Sequence, residues 1–475
     1  MEWSQGFWLT RLIFQRALAA VYLIAFLAAV NQFVPLLGER GLEPVPQFVK
    51  EVPFSRSPSL FYLRPKDSAF KEAAWAGVFL SVLALTGISE SGPAVLSFAT
   101  WGALWLLYLS FVNVGQTFYA FGWESILLEA GFYAIFLGPR STAPPKVVIW
   151  LLRWELFRVM FGAGLIKLRG DPCWRDLSCL AYHYETQPMP NPLSWSFHWG
   201  AAWTHRAGVW INHFAELAAP WFYFAPARLC AAAGLVTVAF QGLIMLGGNL
   251  SFLNLLTIVL AIPCFDDKSL SAVLRMTPPA APPAGVFTSI ASWALTAVVA
   301  LLSVQPVLNM LSPRQIMNTT YNPLHLVGTY GAFGSVTRER FEIVVEGTED
   351  EPSRAASWRE YEFKGKPGDP RRRPPQIAPY HLRLDWLMWF AAMSPRYDEW
   401  RHPWFAVFMS KLLDADLATL SLLGRDPFDG RRPRAVRALL YEYKFTAPRE
   451  RAATGRWWDR RLAGEYFPIL EGARP

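Results

Sequence analysis

The sequence predicts a polytopic α-helical membrane bundle of about seven to nine spans, followed by a mixed, β-containing soluble C-terminal domain. The 475 residues are 53% hydrophobic and 17% charged, with a mean hydropathy of +0.20. This composition is more apolar than that of a typical soluble protein. The charge is also uneven, because 46 of the 82 charged residues follow Gly331. We therefore expect a membrane domain over 1–311 and a water-exposed domain over 312–475.

Nine apolar windows are candidate spans, since a membrane helix needs roughly 20 mainly apolar residues. The windows cover 17–37, 73–88, 93–114, 123–138, 147–165, 209–224, 228–247, 250–265 and 286–305. The second, sixth and eighth are short enough to be tilted, re-entrant or buried instead. No small-residue cleavage site precedes Asn31, so we expect a retained first span rather than a signal peptide.

The orientation follows from basic residues in short loops, which favour the cytoplasmic side of a membrane. With nine spans, one side collects Arg11, Arg16, Arg140, Lys146, Arg228, Lys268 and Arg275. We therefore expect the N-terminus inside, and the external loops at 38–72 and 168–207 outside together with the C-terminal domain. The 38–72 loop conflicts with this orientation, because it carries six basic residues on the outer side.

The cysteines indicate a small disulfide loop or two free thiols, and the sequence leaves both open. Cys173 and Cys179 lie six residues apart in the outer 168–207 loop, where an oxidising compartment permits a disulfide. Cys230 and Cys264 lie in apolar runs and are expected to be inert. Without CxxC or Cys/His zinc spacing, we expect no metal site.

The C-terminal region alternates apolar and polar residues, as strands do. Phe341, Ile343 and Val345 oppose Glu342 and Glu346, whereas Tyr361 and Phe363 oppose Glu360 and Glu362. We expect two antiparallel strands joined by a turn at 347–352, and a further strand at 438–445. Amphipathic helices are expected at 382–393 and 404–413. The domain is therefore predicted to be β-sandwich-like with added helices.

Several function classes are disfavoured. The sequence has no GxSxG elbow, HExxH helix or phosphate-binding loop, and no GxGxxG that opens a helix after a strand. The net charge of +8 is spread in clusters of mixed sign rather than a basic stripe, so we expect no nucleic-acid partner.

Ionisable residues inside the apolar windows are the stronger functional signal, because such groups are costly in a membrane and face a cavity or each other. The fourth and fifth windows contain Glu124, Glu129, Arg153, Glu155 and Arg158. Glu155 and Arg158 are three residues apart and are predicted to pair on one helix face. Arg153 is then left for Glu124 or Glu129. The group is either a structural charge network or a functional pocket.

Lys167 follows a run of small residues at the end of the fifth window. It is either an anchor that snorkels to the interface or a desolvated lysine that acts as a base. Tyr182 and His183 lie in an aromatic, proline-rich loop that we expect to pack on the bundle. With Trp174, they complete the candidate client or cavity residues.

These segments closely resemble the lipase maturation factor family over nearly the whole chain. In the membrane region the matching stretches are Tyr62-Leu-Arg-Pro, Asn113-Val-Gly-Gln-Thr-Phe, Trp123-Glu124, Leu127-Leu-Glu129, Arg158-Val-Met-Phe-Gly-Ala-Gly-Leu-Ile-Lys167, Asp171-Pro-Cys-Trp, Tyr182-His-Tyr-Glu-Thr-Gln-Pro-Met-Pro-Asn-Pro192, Glu216-Leu-Ala-Ala-Pro-Trp-Phe, 249–254 and Pro263-Cys-Phe-Asp-Asp267. In the soluble region they are Phe333-Gly-Ser-Val-Thr-Arg-Glu-Arg-Phe-Glu-Ile, Tyr361-Glu-Phe-Lys-Gly-Lys-Pro-Gly, Arg373-Pro-Pro and Pro379-Tyr-His-Leu-Arg-Leu-Asp385-Trp. The resemblance implies a multi-pass endoplasmic reticulum protein in animals that helps dimeric secreted lipases fold and assemble, with its C-terminal domain in the lumen.

A weaker resemblance concerns the stretch Ala163-Gly-Leu-Ile-Lys167-Leu, which Trp174 follows. It is similar to a motif of the vitamin K-dependent carboxylase-like membrane superfamily, in which the matching lysine is a base in quinol-coupled chemistry. The histidine of the carboxylases has no counterpart that can be placed in this chain.

The leading hypothesis is a non-catalytic membrane chaperone for exported client proteins such as secreted lipases, without a cofactor. It would lie in the endoplasmic reticulum membrane of a eukaryote or the cytoplasmic membrane of a bacterium, with a luminal or periplasmic C-terminal domain. The rival is a carboxylase-like or redox enzyme that uses a lipid-soluble quinone, with Lys167 as the base. A transporter is a third alternative.

Overall fold

The membrane region is a helical bundle in the computed structural model, which describes residues 6–353 and 355–472. Its helices are α1 (Trp8–Leu37), α2 (Val45–Glu51), α3 (Asp67–Thr86), α4 (Ala94–Val114), α5 (Gly122–Ile135), α6 (Lys146–Arg169), α7 (Leu180–Thr186), α8 (Ser194–His198), α9 (Ala202–His213), α10 (Ala227–Gly247), α11 (Leu253–Ala261), α12 (Asp267–Leu274), α13 (Val286–Leu302) and α14 (Val304–Leu311). Residues 214–224 continue α9 as a short π-helical turn and a 3-10 helix.

Among the described residues, five helices are long and apolar enough to cross a membrane, which is fewer than the seven to nine predicted. They are α1, α3, α4, α10 and the continuous segment Val286–Leu311 formed by α13 and α14. Helix α5 has 14 residues and α11 has nine, whereas a bilayer core of about 30 Å needs about 20. Most side chains of both helices are buried against protein, so their apolar character reflects the bundle core rather than lipid. Helix α6 has 24 residues but carries charges along its length.

Contacts between loops define two ends of the bundle. The end that we call the N-terminal face gathers the start of α1 with the 87–93, 136–145 and 265–285 connections, through the hydrogen bonds Trp8–Asp267, Arg140–Glu90 and Ala143–Pro282. The opposite end, the domain face, carries the 38–66 connection, where the Ser57 hydroxyl donates to the Asn113 carbonyl. The start of α1 and the C-terminal domain therefore lie at opposite ends, as the expected orientation requires.

Close packing inside the bundle depends on small residues. Gly131 of α5 lies directly against Tyr22 of α1, and a Cβ atom there would overlap the Tyr22 hydroxyl oxygen. The Tyr22 hydroxyl donates to the Leu127 carbonyl in the same contact, at 3.2 Å. Such small residues let helix backbones approach within a membrane protein.

The C-terminal domain contains one four-stranded antiparallel sheet in the order β2-β1-β3-β4. The strands are β1 (Arg340–Thr348), β2 (Arg359–Glu360), β3 (Ala435–Phe445) and β4 (Trp458–Glu471), and the helices are α15 (Arg383–Ala391), α16 (Pro403–Leu413), α17 (Leu417–Leu420) and α18 (Pro448–Thr454). The two predicted strands pair antiparallel, with Glu346 opposite Glu360. The predicted turn at 347–352 is misplaced, because β1 continues to Thr348 and the two-residue β2 begins only at Arg359. The described residues form a single sheet covered by helices, however, rather than the two sheets of a sandwich.

The domain contacts the bundle through polar side chains that bind backbone. The Gln32 amide of α1 donates to the His381 carbonyl at 2.7 Å and accepts from the Arg383 backbone N–H at 2.9 Å. On another part of the domain face, the Asn249 side chain accepts from the backbone N–H groups of Ile377 and Ala378 at 2.8 and 2.9 Å. These bonds fix the 376–383 segment over the ends of α1 and α10.

Candidate functional site

Glu124 forms a buried ion pair with the C-terminal domain. Its Oε1 accepts from Nη1 of Arg383 at 2.8 Å, and both side chains are fully buried. The Tyr108 hydroxyl donates to the other carboxylate oxygen. The Arg383 guanidinium also lies 3.4 Å from the Tyr119 ring centroid. A buried ion pair needs such additional contacts, because the desolvation of two charges is otherwise uncompensated.

Glu129 forms a second buried ion pair, with Arg158 of α6. Nη2 of Arg158 binds Oε1 of Glu129, and Nη1 donates to the Gly328 carbonyl at 2.7 Å. The hydroxyls of Tyr133 and Tyr330 donate to the same carboxylate at 2.5 and 2.7 Å. Residues 328–330 follow the last membrane helix, so this network also joins the bundle to the start of the C-terminal region.

Two predicted pairings are wrong. Arg158 binds Glu129 across the bundle instead of Glu155, although both partners are buried on α6. Arg153 donates to the Pro263 and Tyr223 carbonyls at 2.9 and 3.3 Å, and binds neither predicted glutamate. Arg153 lies more than one helical turn from Arg158 on α6, beside the C-terminal end of α11, and Glu124 and Glu129 already have arginine partners. Within the described residues, the Glu155 carboxylate accepts no hydrogen bond.

Lys167 does not snorkel to the surface. Its side chain is 5% exposed, and Nζ donates to the two carboxylate oxygens of Glu216 at 2.6 and 2.7 Å. Nζ also donates to Oδ1 of Asn212 at 2.9 Å, and the Asn212 amide donates to Glu216 at 3.0 Å. The indole of Trp174 lies 5.1 Å from Nζ. The three polar side chains therefore form a closed, charge-balanced group.

This group lines a cavity of about 900 Å³ between the bundle and the segments on its domain face. One wall comes from α6, α10 and α11, and the opposite wall comes from the 170–212 segment and α15. Lys167 and Tyr330 contribute to the lining, but Glu129 and Arg158 do not. The predicted site residues thus separate into two buried ion pairs that hold the fold together and one ion pair that borders a cavity.

Of the remaining predicted residues, Trp174 and His183 line the outer wall of this cavity, and Tyr182 does not line it. Trp174 donates to the Phe333 carbonyl at 2.8 Å, and His183 packs on the Phe333 ring with centroids 4.9 Å apart. Burial, and secondarily the positive charge of Lys167, lowers the pKa of His183 to about 4, so its imidazole is neutral near pH 7. Tyr182 lies under the Arg338 guanidinium at 4.5 Å.

A disulfide closes the turn that carries Trp174. It joins Cys173 and Cys179, whose Cα atoms are 4.7 Å apart. Asp171 precedes this turn, and its carboxylate pairs with Arg338 at 2.8 Å. The pKa of Asp171 is lowered, mainly by the hydrogen bond from Arg338. The disulfide therefore closes the turn, and the ion pair of Asp171 attaches the start of the turn to the C-terminal domain.

The sequence reasoning missed the partners that complete these groups. Glu216 lies in the sixth apolar window, where an acidic residue is itself unusual. This feature of the sequence could have identified Glu216 as the partner of Lys167. Arg383 and His381 are polar residues in the soluble domain, and their burial against Glu124 had no signal in local sequence.

The fold and the site define a class: a multi-pass helical membrane protein whose extramembrane α/β domain completes a buried ion pair of the bundle. Family models for the lipase maturation factor transmembrane domain and the lipase maturation factor C-terminal domain match residues 9–272 and 326–468. The chain belongs to the lipase maturation factor family, which confirms the resemblance found in the sequence.

Relatives match over almost the entire chain. Lipase maturation factor 1 of Bos taurus is 46% identical over 98% of this chain and 89% of its own length. Lipase maturation factor 1 of Homo sapiens is 44% identical over 99% of this chain and 89% of its own length. Lipase maturation factor 2 of Homo sapiens is 29% identical over 98% of this chain and 83% of its own length. No solved structure matches the chain.

Proposed function

We propose that this protein is a membrane chaperone that assists the folding and assembly of exported client proteins, among them secreted lipases. The observation that carries the proposal is the family match, which includes both the membrane and the C-terminal domain and relatives named lipase maturation factor 1. The clients would meet the domain face in the endoplasmic reticulum lumen, or in the periplasm if the membrane is bacterial.

Exposed apolar side chains on the C-terminal domain support a holding function. Trp400 is 96% exposed, Leu417 is 75% exposed and Leu462 is 55% exposed. Isolated exposed apolar residues are common, but three such residues on one domain provide contact points for the unburied apolar surface of a folding client. The contact would be released when the client buries that surface.

The test is lipase maturation in cells that lack their own maturation factor. The full chain is co-expressed with a dimeric secreted lipase, and the specific activity and the dimer fraction of the secreted lipase are measured. We expect both to rise with the chain present. The substitution Trp400→Ser should reduce the rise, whereas the matched exposed substitution Leu274→Ser on the N-terminal face should not. An unchanged dimer fraction at normal expression of the chain would contradict the proposal.

Nothing in the structure or among the relatives supports the carboxylase-like alternative. The ion pair to Glu216 supports a structural role for Lys167, and Lys167→Ala alone leaves a buried carboxylate without its partner. The double substitution Lys167→Met and Glu216→Gln removes the charge and its partner together. We expect it to retain lipase maturation. A base at Lys167 would instead require the double variant to be as inactive as Lys167→Ala, at normal expression.

A further inference from the structure

The cavity beside Lys167 has the size and lining of a small-molecule site. Its volume of about 900 Å³ lies within the range of roughly 300–1,000 Å³ that is typical of ligand pockets. The lining is mostly apolar and includes Ala163, Phe240, Ile244 and Trp386. A chaperone that held clients only by its exposed surface would have no need of this enclosed space.

The charges of the cavity are already balanced. Lys167 and Glu216 neutralise each other, and Asn212 bonds to both. Among the described lining residues there is no other lysine, arginine, aspartate or glutamate, and His183 is neutral near pH 7 because burial lowers its pKa to about 4. A charged headgroup would lose its hydration here without gaining a counter-ion, which is unfavourable. The lining therefore selects an uncharged ligand.

One buried acceptor in the lining has no donor. Asn254 is 3% exposed, and its amide donates to Oε1 of Gln241 at 2.6 Å. Among the described residues, no group donates to its Oδ1. An unsatisfied buried acceptor costs about 1–3 kcal/mol, and a ligand hydroxyl that donates to Oδ1 would recover this loss.

The rim of the cavity is apolar and lies near the domain-face end of α10, a helix long and apolar enough to cross a membrane. Leu243, near the domain-face end of α10, is 49% exposed, and Trp203 and Ile211 of α9 are 71% and 46% exposed. Tryptophan is enriched at the membrane–water interface, where its ring is partly apolar and partly polar. A ligand dissolved in the membrane can therefore reach the cavity without crossing water.

We propose that this cavity binds one molecule of an uncharged lipid with a hydroxyl head, such as a monoacylglycerol or a sterol. The apolar body lies between α6, α10 and the 170–212 segment, and the hydroxyl donates to Oδ1 of Asn254. This ligand site is separate from the exposed surface proposed to hold clients, so either proposal can fail without the other.

The test uses the purified full chain in nanodiscs and three photo-crosslinking probes: a monoacylglycerol, a sterol, and a fatty acid with the same chain as the monoacylglycerol. We expect an uncharged probe to label peptides that contain 160–170, 203–212 or 240–257, with saturation and with competition by its unlabelled parent lipid. The probe that labels more strongly distinguishes the acyl from the sterol source. Labelling of these peptides by the anionic fatty acid should be at least tenfold weaker.

Two variants test the location. Ala163→Phe fills the cavity from α6, and its matched control Ala232→Phe adds the same side chain to an exposed position on α10 outside the cavity. We expect the first to reduce labelling at least tenfold and the second to leave it unchanged. Asn254→Leu removes the acceptor and should weaken binding about tenfold. Equal labelling by the fatty acid, labelling that does not saturate in the unmodified chain, or equal effects of the two phenylalanine variants would overturn the proposal.

Discussion

Arg383 of the C-terminal domain pairs with the buried carboxylate of Glu124 in the bundle. We therefore expect the free energy of unfolding to be sensitive to substitution of Arg383. Removal of one partner from a buried ion pair costs about 3–5 kcal/mol, because the other charge remains buried. We expect Arg383→Met to lower the free energy of unfolding by that amount. The measurement is thermal or denaturant unfolding of the detergent-solubilised chain.

The control for this prediction is Arg401→Met, since the Arg401 side chain is 73% exposed and its pair with Asp398 is on the surface. A surface pair contributes about 0–1 kcal/mol. The double variant Arg383→Met with Glu124→Gln should recover part of the loss. If Arg383→Met and Arg401→Met have equal effects, the buried pair does not stabilise the fold.

The burial of His381 predicts that the free energy of unfolding depends on pH. Burial, and secondarily the charge of Arg383, lowers its pKa from 6.5 to about 4. As the pH falls below about 6.5, the unfolded chain takes up the proton first, so stability is complete above that pH and is lost down to about pH 4. The loss at pH 4 is about 3 kcal/mol.

The variant His381→Phe isolates this effect, because phenylalanine keeps the ring contacts with Phe121 and Trp123. The difference in unfolding free energy between the unmodified chain and the variant should be constant above pH 6.5 and should shift in favour of the variant between pH 6.5 and 4. A difference that does not change with pH would show that His381 is not buried in its neutral form.

At the residue scale, the sequence identified the charged positions but not their partners. Glu124, Glu129 and Arg158 were selected because charges are rare in apolar windows, and all three are buried. Their partners depend on tertiary structure: Arg383 lies 259 residues after Glu124. Local spacing instead favoured a pair within α6, which is a weaker interaction of about 0.2–0.5 kcal/mol on an isolated helix.

Among the elements, the connection between α10 and α11 holds the 364–379 segment through hydrogen bonds of the Asn249 side chain. Asn249 accepts from Ile377 and Ala378 and donates to the carbonyls of Pro190 and Pro375, at 3.1 and 2.9 Å. Each bond contributes about 1 kcal/mol. We expect Asn249→Ala to reduce stability by about 2–4 kcal/mol and to increase hydrogen exchange and proteolysis over 364–379.

Asn31→Ala is the matched control for Asn249→Ala. Asn31 also contacts the C-terminal domain, through the Tyr380 hydroxyl at 3.1 Å, but the contact is exposed to solvent. Its loss should change the unfolding free energy by less than about 0.5 kcal/mol. Equal protection of the 364–379 segment in both variants would mean that Asn249 does not hold it.

Elements whose own sequence has a clear periodic pattern were predicted. Elements whose structure depends on contacts with the rest of the fold were not. The windows at 93–114 and 228–247 correspond closely to α4 and α10. Strand β4 was missed because most of its side chains are exposed, so its sequence lacks the apolar alternation of a half-buried strand. The window at 209–224 became the end of α9, a π-helical turn and a 3-10 helix rather than one span, since Asn212 and Glu216 turn toward Lys167.

For the whole molecule, the N-terminal face and the domain face lie at opposite ends of the bundle. We therefore expect a reagent on one side of the membrane to reach only one of these two faces. Ser353 lies in the C-terminal domain and Ser141 lies in a connection on the N-terminal face, and both are exposed. A membrane-impermeant maleimide added to intact vesicles should label Ser353→Cys or Ser141→Cys, but not both. The unmodified chain should remain unlabelled, because Cys230 and Cys264 are buried and the other two cysteines form the disulfide.

Labelling of both positions from one side would place the C-terminal domain and the N-terminal face in the same compartment. That outcome would contradict the bundle described here. Labelling of Ser353→Cys alone in right-side-out cell-membrane vesicles would place the domain face outside the cell, and labelling of Ser141→Cys alone in sealed microsomes would place it in the lumen, as basic residues in the other short loops favour.

The long sequence distance between the ion-pair partners imposes an order on biosynthesis. A ribosome that synthesises this chain delivers Glu124 and Glu129 long before Arg383 and Tyr330. Until Arg383 arrives, the nascent bundle contains a carboxylate, Glu124, that has no cationic partner, and an unpaired buried charge is strongly destabilising. A premature stop codon anywhere before residue 383 should therefore yield a short-lived fragment rather than a stable membrane domain, because the stability of the bundle depends on a residue that is synthesised late.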